Sequence, residues 1–186
     1  ADMVLADDDC STFVSAVREG RGIYKNIRKT IHFLISCNIC EILLIFASFL
    51  LRVPTPLIAI QLLWVNLVTD SLPALALGAD PIDRDIMQEK PHKKSERSFS
   101  CGMCVAIIVE GCLSGALALW AYTIGRMFCD MDPANPVVGR TMAFAVLSFS
   151  QLFHSFNMRS EHSIFKVGFF SNRKLVYAFI ACAVLM

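Results

Sequence analysis

The sequence predicts an all-α membrane protein, a polytopic transmembrane helix bundle with a long cytoplasmic stalk helix. Two observations lead to this fold class. Hydrophobic residues make up 55% of the 186 residues and charged residues only 18%, with a mean hydropathy of +0.56, which is far from the composition of a soluble domain. Apolar stretches of the length that crosses a bilayer, about 20 residues, also recur along the chain. Both observations exclude an ordinary soluble protein.

The stalk comes first in the chain. Residues 11–51 contain no proline, and apolar side chains recur there at approximately helical spacing. We therefore expect one continuous helix, whose length at 1.5 Å per residue is about 60 Å, twice the bilayer core. Its first part, residues 11–30, is expected to project into the cytoplasm. The alternative is an interfacial amphipathic helix.

Four membrane spans are predicted at about residues 31–51, 58–77, 101–124 and 138–156. A fifth apolar stretch begins near residue 175 and reaches residue 186, too short to cross. The chain also opens with residues 1–10, which resemble the interior of a soluble domain and carry no signal peptide. We therefore expect a fragment with three parts: the end of a cytoplasmic domain over 1–10, the stalk over 11–30 and a transmembrane domain over 31–186.

Basic residues indicate the orientation. They collect before the first span, before the third span and after the fourth, whereas the two intervening loops carry only Arg52, Arg126 and Arg140. Because cytoplasmic loops are enriched in lysine and arginine, we expect the N-terminal end in the cytoplasm. The chain is expected to be an integral, multi-pass protein of the cell membrane.

The second span contains a polar cluster, formed by Asn66, Thr69 and Asp70. Their spacing of i, i+3 and i+4 places all three on one face of a helix. A carboxylate at mid-membrane costs about 2.5–3.5 kcal/mol on insertion scales, so Asp70 is expected to face a protein interior and to have a function. Pro73 should kink or unwind the helix at the cluster because its ring displaces the carbonyl of Thr69. The freed carbonyls could then also bind a cation.

The first span carries a second polar pair, Asn38 and Glu41, three residues apart. A tight external turn at Pro54-Thr55-Pro56 should fold the two spans into a hairpin, so that this pair meets the polar face of the second span. The resulting ligands are all oxygens, which suit a hard cation such as Ca²⁺ better than Cu⁺. The amides and the threonine alone could equally be interhelical hydrogen-bonding groups, but two buried carboxylates need a cation or protons.

Other reactive side chains receive more ordinary interpretations. Glu110, in the third span, is expected to pair with a neighbour near the interface, with a proton path as the alternative. His32 and His92 are expected at or near the cytoplasmic surface without a special role. The cysteine pairs Cys37-x-x-Cys40 and Cys101-x-x-Cys104 are interpreted as small apolar residues of membrane helices.

Three segments give the chain a specific resemblance. Ala-Asp-Met-Val-Leu-Ala-Asp-Asp-Asp, Ser-Cys-Asn-Ile-Cys-Glu and Asn-Leu-Val-Thr-Asp-Ser-Leu-Pro-Ala-Leu-Ala-Leu-Gly are similar to the end of the phosphorylation domain and to the fifth and sixth transmembrane helices of calcium-transporting P-type ATPases. The resemblance covers essentially all of the chain and implies helices five to eight and part of nine, out of ten. It implies a cation site whose Ca²⁺ ligands are Asn38, Glu41, Asn66, Thr69, Asp70 and Gln151.

Two of these residues have particular roles by the same resemblance. Asp70 matches the carboxylate that bridges the two calcium positions of the family. Gln151 stands where two-site pumps have a glutamate, so it keeps an oxygen but loses a charge, and both one and two ions per cycle remain open. Gln151, His154 and Asn157 also lie near one helix face, and an interhelical hydrogen-bond network is the alternative interpretation.

The resemblance implies that transport needs a longer polypeptide. The chain has no Asp-Lys-Thr-Gly phosphorylation motif, nucleotide-binding domain or fourth-helix ligands, so it is not expected to hydrolyse ATP alone. ATP and Mg²⁺ belong to the missing part of the parent translocase. The expected partners are the lipid bilayer, the transported cation and the amino-terminal domains of the same polypeptide, with no nucleic acid. Asp80, Asp83 and Arg84 match the start of a loop that abuts the phosphorylation domain, or else form a solvated loop.

The predicted function is the membrane part of an ATP-driven calcium pump, which binds Ca²⁺ at mid-membrane oxygen ligands for export from the cytoplasm. Two alternatives stay open. Oxygen ligands do not exclude a P-type pump for Mn²⁺, Na⁺ or H⁺, and the spans alone are compatible with a stand-alone, non-enzymatic channel or regulatory protein.

Overall fold

A computed structural model describes residues 10–82, 86–88, 101–130, 132, 135–159 and 172–186. Within these ranges every regular element is helical, so the all-α prediction is confirmed. The predictions for residues 1–9, Asp83, Arg84 and His92 fall outside the described residues. The helices are α1 (Cys10–Leu50), α2 (Ala59–Gly78), α3 (Cys101–Cys129), α4 (Val137–Asn157) and α5 (Arg173–Leu185).

Helix α1 is continuous over 41 residues, as predicted. The absence of proline before Pro54 lets its hydrogen-bond ladder run without a break. Three helices are long and apolar enough to cross a membrane among the described residues, namely α1, α2 and α3. They coincide with the first three predicted spans. Helix α4 covers the fourth predicted span at 21 residues, but it is not among the three. Its polar residues include Ser148, Gln151 and His154.

The first two spans form the predicted hairpin. Residues 51–58 leave the helical conformation between α1 and α2, with Arg52 in the left-handed region at φ 53°. The turn is held from the side: the Tyr122 hydroxyl donates to the Pro54 carbonyl (2.6 Å), and Arg140 Nε donates to the Thr55 carbonyl (3.1 Å). The loop is therefore fixed to both α3 and α4.

Helices α1 and α3 approach closely at two glycines one turn apart. A Cβ at Gly111 would lie 2.8 Å from Ile39 Cγ2 and 3.2 Å from the Ser36 carbonyl oxygen, and one at Gly115 would lie 3.3 Å from the Cys40 carbonyl oxygen. Small residues at such spacing allow membrane helices to pack backbone against backbone. The seam brings polar groups of α3 within reach of α1.

The apolar core has two clusters, and the predicted polar residues lie between them. The first contains Phe33 and Cys37 of α1, Ala74 of α2 and Phe156 of α4. The second contains Cys40 and Leu44 of α1, Val65 of α2 and Leu147 of α4. Asp70 and Gln151 therefore fall, along their own helices, between a residue of one cluster and a residue of the other. The polar layer is enclosed by apolar packing above and below it.

The cytoplasmic end predicted for α2 is tied down at Asp80, which is 7% exposed. Its carboxylate accepts hydrogen bonds from Arg159 Nε (3.3 Å) and Asn172 Nδ2 (2.8 Å), and Lys29 Nζ lies 3.6 Å away. Its carbonyl accepts from Asn26 Nδ2 (2.7 Å). The interpretation of Asp80 as part of a solvated loop is therefore wrong, because its carboxylate connects the middle of α1 to residues at the end of α4 and the start of α5.

Candidate cation site

The polar part of α2 is a π-helix. Residues Val65–Asp70 have π-helical geometry between two α-helical segments, Ala59–Trp64 and Ser71–Gly78. The sequence analysis expected the helix to kink or unwind at the cluster. Instead, it widens into a π turn and does not break. Pro73 has no N–H to donate to the Thr69 carbonyl, and its ring crowds that carbonyl, so a wider turn relieves the clash. Single π turns of this kind recur at functional sites.

Thr69 and Asp70 end this π turn and are almost completely buried, at 0% and 1% exposure. Neither the Thr69 hydroxyl nor either Asp70 carboxylate oxygen has a conventional hydrogen-bond partner among the described residues. The Cys37 thiol lies beside the carboxylate, but a thiol is a weak donor. Buried polar groups are nearly always satisfied, and an unsatisfied one costs about 1–3 kcal/mol. Three such oxygens side by side are suited to binding a ligand.

Glu41 is the point where three helices meet. It is 6% exposed, and its carboxylate accepts from two amides: Asn66 Nδ2 of α2 donates to Oε2 (2.8 Å), and Gln151 Nε2 of α4 donates to Oε1 (3.4 Å). The expected meeting of Glu41 with the polar face of α2 therefore occurs in the structure. Gln151, placed in the set only by resemblance, also contacts it.

Asn38 stands apart from this group. Its side chain is exposed, and its Nδ2 donates within α1 to the Leu34 carbonyl (2.8 Å). Residues three apart on an α-helix differ by about 60° in direction, so one can face α2 while the other lies on the flank. Asn66 is exposed as well, yet its side chain reaches Glu41. Among the described residues, Asn38 makes no hydrogen bond to the other predicted ligands.

Ser148 was missed by the sequence analysis. It is 0% exposed, and its hydroxyl has no hydrogen-bond partner among the described residues. Gln151, one turn later on α4, is 2% exposed and has an equally unpartnered Oε1. A signal was present, because a serine three residues before Gln151 shares its helix face, but serines are common in such helices. The hydroxyl is thus a further buried oxygen without a partner in the described part of the chain, one helical turn from Gln151.

The arrangement can hold a hard cation. Its buried oxygens without a partner in the described part of the chain are Thr69 Oγ1, Asp70 Oδ1 and Oδ2, Ser148 Oγ and Gln151 Oε1. The carboxylate of Glu41 accepts hydrogen bonds from Gln151, whose Oε1 belongs to this set, and from Asn66, which lies in the same π turn as Thr69 and Asp70. Carboxylate, hydroxyl and amide oxygens in this number match the preference of Ca²⁺ for six to eight oxygen ligands. Two carboxylates also supply the negative charge that a divalent cation requires.

A second polar group lies beside the first, around Glu110. Its Oε2 lies 2.9 Å from His32 Nε2 and 3.6 Å from His154 Nε2. The prediction that Glu110 pairs with a neighbour is confirmed, and one neighbour is His32, for which the sequence analysis expected no special role. His154 also hydrogen-bonds Ser36 Oγ through Nε2 (2.9 Å), so the network expected around Gln151 includes this histidine. Asn157 is exposed.

The chain is similar to several known proteins, which are all calcium-transporting ATPases by name. A calcium-transporting ATPase 1 of Bacillus cereus is 49% identical over 97% of this chain and 22% of its own length. A calcium-transporting ATPase of Bacillus subtilis is 42% identical over 99% of this chain and 20% of its own length. The human calcium-transporting ATPase type 2C member 1 is 33% identical over 96% of this chain and 19% of its own length. The chain spans about a fifth of the length of these relatives.

The family comparison covers the membrane part. The model of the family described as cation transporting ATPase, C-terminus, matches residues 54–186, from the turn after α1 to the end of α5. The match thus includes α2 with its π turn and α4 with Gln151. The resemblance that the motifs implied is confirmed, and this protein belongs to the cation-transporting ATPases, whose C-terminal region it represents.

Proposed function

We propose that this chain forms the cation-transport part of an ATP-driven calcium pump and binds Ca²⁺ between α1, α2 and α4. The observation that carries the proposal is the group of buried oxygens at Thr69 and Asp70 that have no hydrogen-bond partner among the described residues. A folded protein leaves such groups unsatisfied at a cost, and a transported cation offsets this cost when it binds. The names of the relatives support calcium as that cation.

The ligands contributed by this chain are Glu41, Asn66, Thr69, Asp70 and Gln151, with Ser148 as an additional oxygen. Asn38 requires a change of rotamer to join them, because its amide is now bonded to the Leu34 carbonyl. The two carboxylates together carry the charge that balances one Ca²⁺. With glutamine at position 151, we infer that the oxygens of this chain serve one ion per cycle.

The remaining parts of the pump lie outside this chain. ATP and Mg²⁺ are assigned to the rest of the longer polypeptide, and export from the cytoplasm follows if the N-terminal end is cytoplasmic, as the basic loops predict. Helix α1 is then the link between the two parts, because it carries Glu41 in its last third and extends about 60 Å. Arg21 on its outer part donates to the Ile86 carbonyl in the loop after α2 (3.3 Å).

The test is calcium-dependent phosphorylation from ATP in the full-length pump. We expect Asp70→Asn to lose it, with apparent Ca²⁺ affinity reduced by more than about 100-fold, while the protein remains folded. Asp132→Asn, at an exposed aspartate, is the matched control and should behave like the wild type. Normal calcium dependence in Asp70→Asn contradicts the site. If Mn²⁺ or Na⁺, but not Ca²⁺, drives phosphorylation of the wild type, then that ion and not Ca²⁺ is the transported cation.

A further inference from the structure

A polar cluster separate from the proposed calcium ligands lies where α1, α3 and α4 meet. It consists of Glu110, His32 and His154, with Ser36 bonded to His154. The side chains of the two histidines are only 17% and 12% exposed, and that of Glu110 is 30% exposed. Both imidazole Nε2 atoms therefore converge on one carboxylate oxygen in a largely buried place. A carboxylate within a membrane helix is kept for function or paired, and here two titratable partners face it.

The glycine seam makes this convergence possible. Gly111 follows Glu110 directly and packs against Ile39 and the Ser36 carbonyl of α1. The close approach of α3 lets the Glu110 carboxylate reach His32 on α1, while Phe33 stacks on the His154 ring with centroids 5.9 Å apart. The packing of α1, α3 and α4 thus positions His32, Glu110 and His154. The cluster is a built feature of the fold and not a chance surface contact.

A small cavity connects the cluster to the calcium ligands. Its volume is about 10 Å³, and it is lined by Ser36, Cys37, Cys40, Glu110, Ser114, Gln151 and His154. This is the space of about one water molecule, which needs two to four polar partners. Gln151 is 2% exposed and its Oε1 has no partner in the described part of the chain, whereas its Nε2 donates to Glu41. One side chain therefore borders both the cavity and the site.

The chemistry of the cluster is that of proton exchange. Histidine is the side chain whose charge ordinarily changes between pH 5 and 8, and two imidazoles beside one carboxylate can share one or two protons. The titratable groups that face Glu110 are His32, Cys37 and Cys40 from α1 and His154 from α4. Arg28, one turn before His32, is the nearby fixed charge, and its Nε donates to Met103 Sδ (3.5 Å). A change of protonation alters the charge next to Gln151.

We propose that Glu110, His32 and His154 form a proton-binding site, distinct from the calcium ligands, which is coupled to Glu41 through Gln151. The cluster exchanges protons with water. Uptake or release changes the hydrogen bonds that the cavity offers to Gln151 Oε1, and so changes how Gln151 Nε2 holds Glu41. By reciprocity, calcium binding at Glu41 alters the proton affinity of the cluster. This coupling rests on the proposed function, whereas proton binding itself does not.

Two measurements on the full-length pump in detergent test the inference. The first is the infrared difference spectrum between about pH 6 and pH 8 without calcium. We expect a carboxyl or imidazole protonation signal in the wild type that is lost in Glu110→Gln and changed in His154→Gln. Glu19→Gln, at an exposed glutamate of α1, is the control and keeps the wild-type spectrum. Identical spectra for the wild type and Glu110→Gln overturn the proton-binding site.

The second measurement is the Ca²⁺ concentration for half-maximal phosphorylation over the same pH range. We expect Glu110→Gln to change the ratio of the values at pH 6 and pH 8 by about fivefold or more relative to the wild type, with Glu19→Gln unchanged. An unchanged ratio overturns the coupling. If the wild type shows no calcium-dependent phosphorylation at any pH but keeps the infrared signal, the proposed function fails and the proton-binding site stands.

Discussion

Asp70, within α2, and Asp80, just after its end, are both almost completely buried. Their hydrogen-bonding surroundings differ. Asp80 accepts hydrogen bonds from Arg159 and Asn172 and has Lys29 within 3.6 Å. Asp70 has no conventional hydrogen-bond partner in the described part of the chain. The cost of burying Asp80 is offset by donors of the protein itself. At Asp70 the described residues offer no such donor, which is the arrangement expected if a mobile cation binds there, as we propose.

The comparison predicts a large loss of stability at the satisfied carboxylate. Asp80→Ala removes the shared partner of Lys29, Arg159 and Asn172, which should reduce the free energy of unfolding by about 3–5 kcal/mol. The thermal denaturation midpoint of the full-length pump in calcium-free detergent measures this. Asp70→Asn is the reference, since no fixed partner is lost there. Equal midpoints for the two variants contradict the structural role of Asp80.

The stabilisation of the protein by calcium should depend on Asp70 and not on Asp80, the reverse of the stability without calcium. A ligand at 100 times its Kd stabilises a protein by about 2.7 kcal/mol, so the wild type should denature at a higher temperature with calcium than without it. Asp80→Asn, the milder change at that position, should keep this calcium-induced increase, and Asp70→Asn should lose it. A calcium-induced increase of wild-type size in Asp70→Asn removes Asp70 from the site.

A smaller effect on Ca²⁺ affinity is expected at Gln151. Its Nε2 donates to Glu41, whereas its Oε1 has no hydrogen-bond partner among the described residues. Gln151→Leu deletes an oxygen and removes one of the two amide donors of Glu41, while Asn66 keeps the other, so Ca²⁺ affinity should fall by about tenfold. Gln151→Glu keeps an oxygen and adds charge, so it should bind at least as tightly as the wild type. Calcium-dependent phosphorylation of the full-length pump measures both. Wild-type affinity in Gln151→Leu places Gln151 outside the ligand set.

The smallest effect distinguishes two serines of α4. The Ser148 hydroxyl has no hydrogen-bond partner among the described residues, whereas the Ser155 hydroxyl donates to the Leu152 carbonyl (2.7 Å). Ser148→Ala should reduce Ca²⁺ affinity by about threefold without lowering calcium-free stability, because an unsatisfied buried group costs free energy. Ser155→Ala, the matched control, should lower stability slightly and leave affinity unchanged. If both variants change affinity equally, Ser148 has only a packing role.

The sequence was sufficient for the helices and for most of the buried polar residues of the candidate site. Long apolar runs without proline defined α1, α2 and α3 because hydropathy and length decide membrane spans. Glu41 and Asp70 stood out because a carboxylate in such a span demands a reason. These are local properties, visible in one segment at a time.

The rotation of one helix against another was not visible. Asn38 and Glu41 were expected to face α2 together, but only Glu41 does, because a difference of about 60° in direction is enough to separate them. The pairing of Glu110 with His32 and His154 depends on the register of three helices and on the close approach at Gly111. Pro73 predicted a disturbance of α2, yet whether the chain unwinds or widens depends on the packing around it.

The glycine seam between α1 and α3 limits which motions the protein can use. Because Gly111 and Gly115 place backbone atoms of α1 within 3.3 Å of where side chains would begin, neither helix can roll about its axis without collision. The two helices can still tilt or bend together as a pair. Under the proposed function, opening and closing of the ion path then falls to helices other than this pair, and any larger residue at either glycine should slow transport without contacting a ligand.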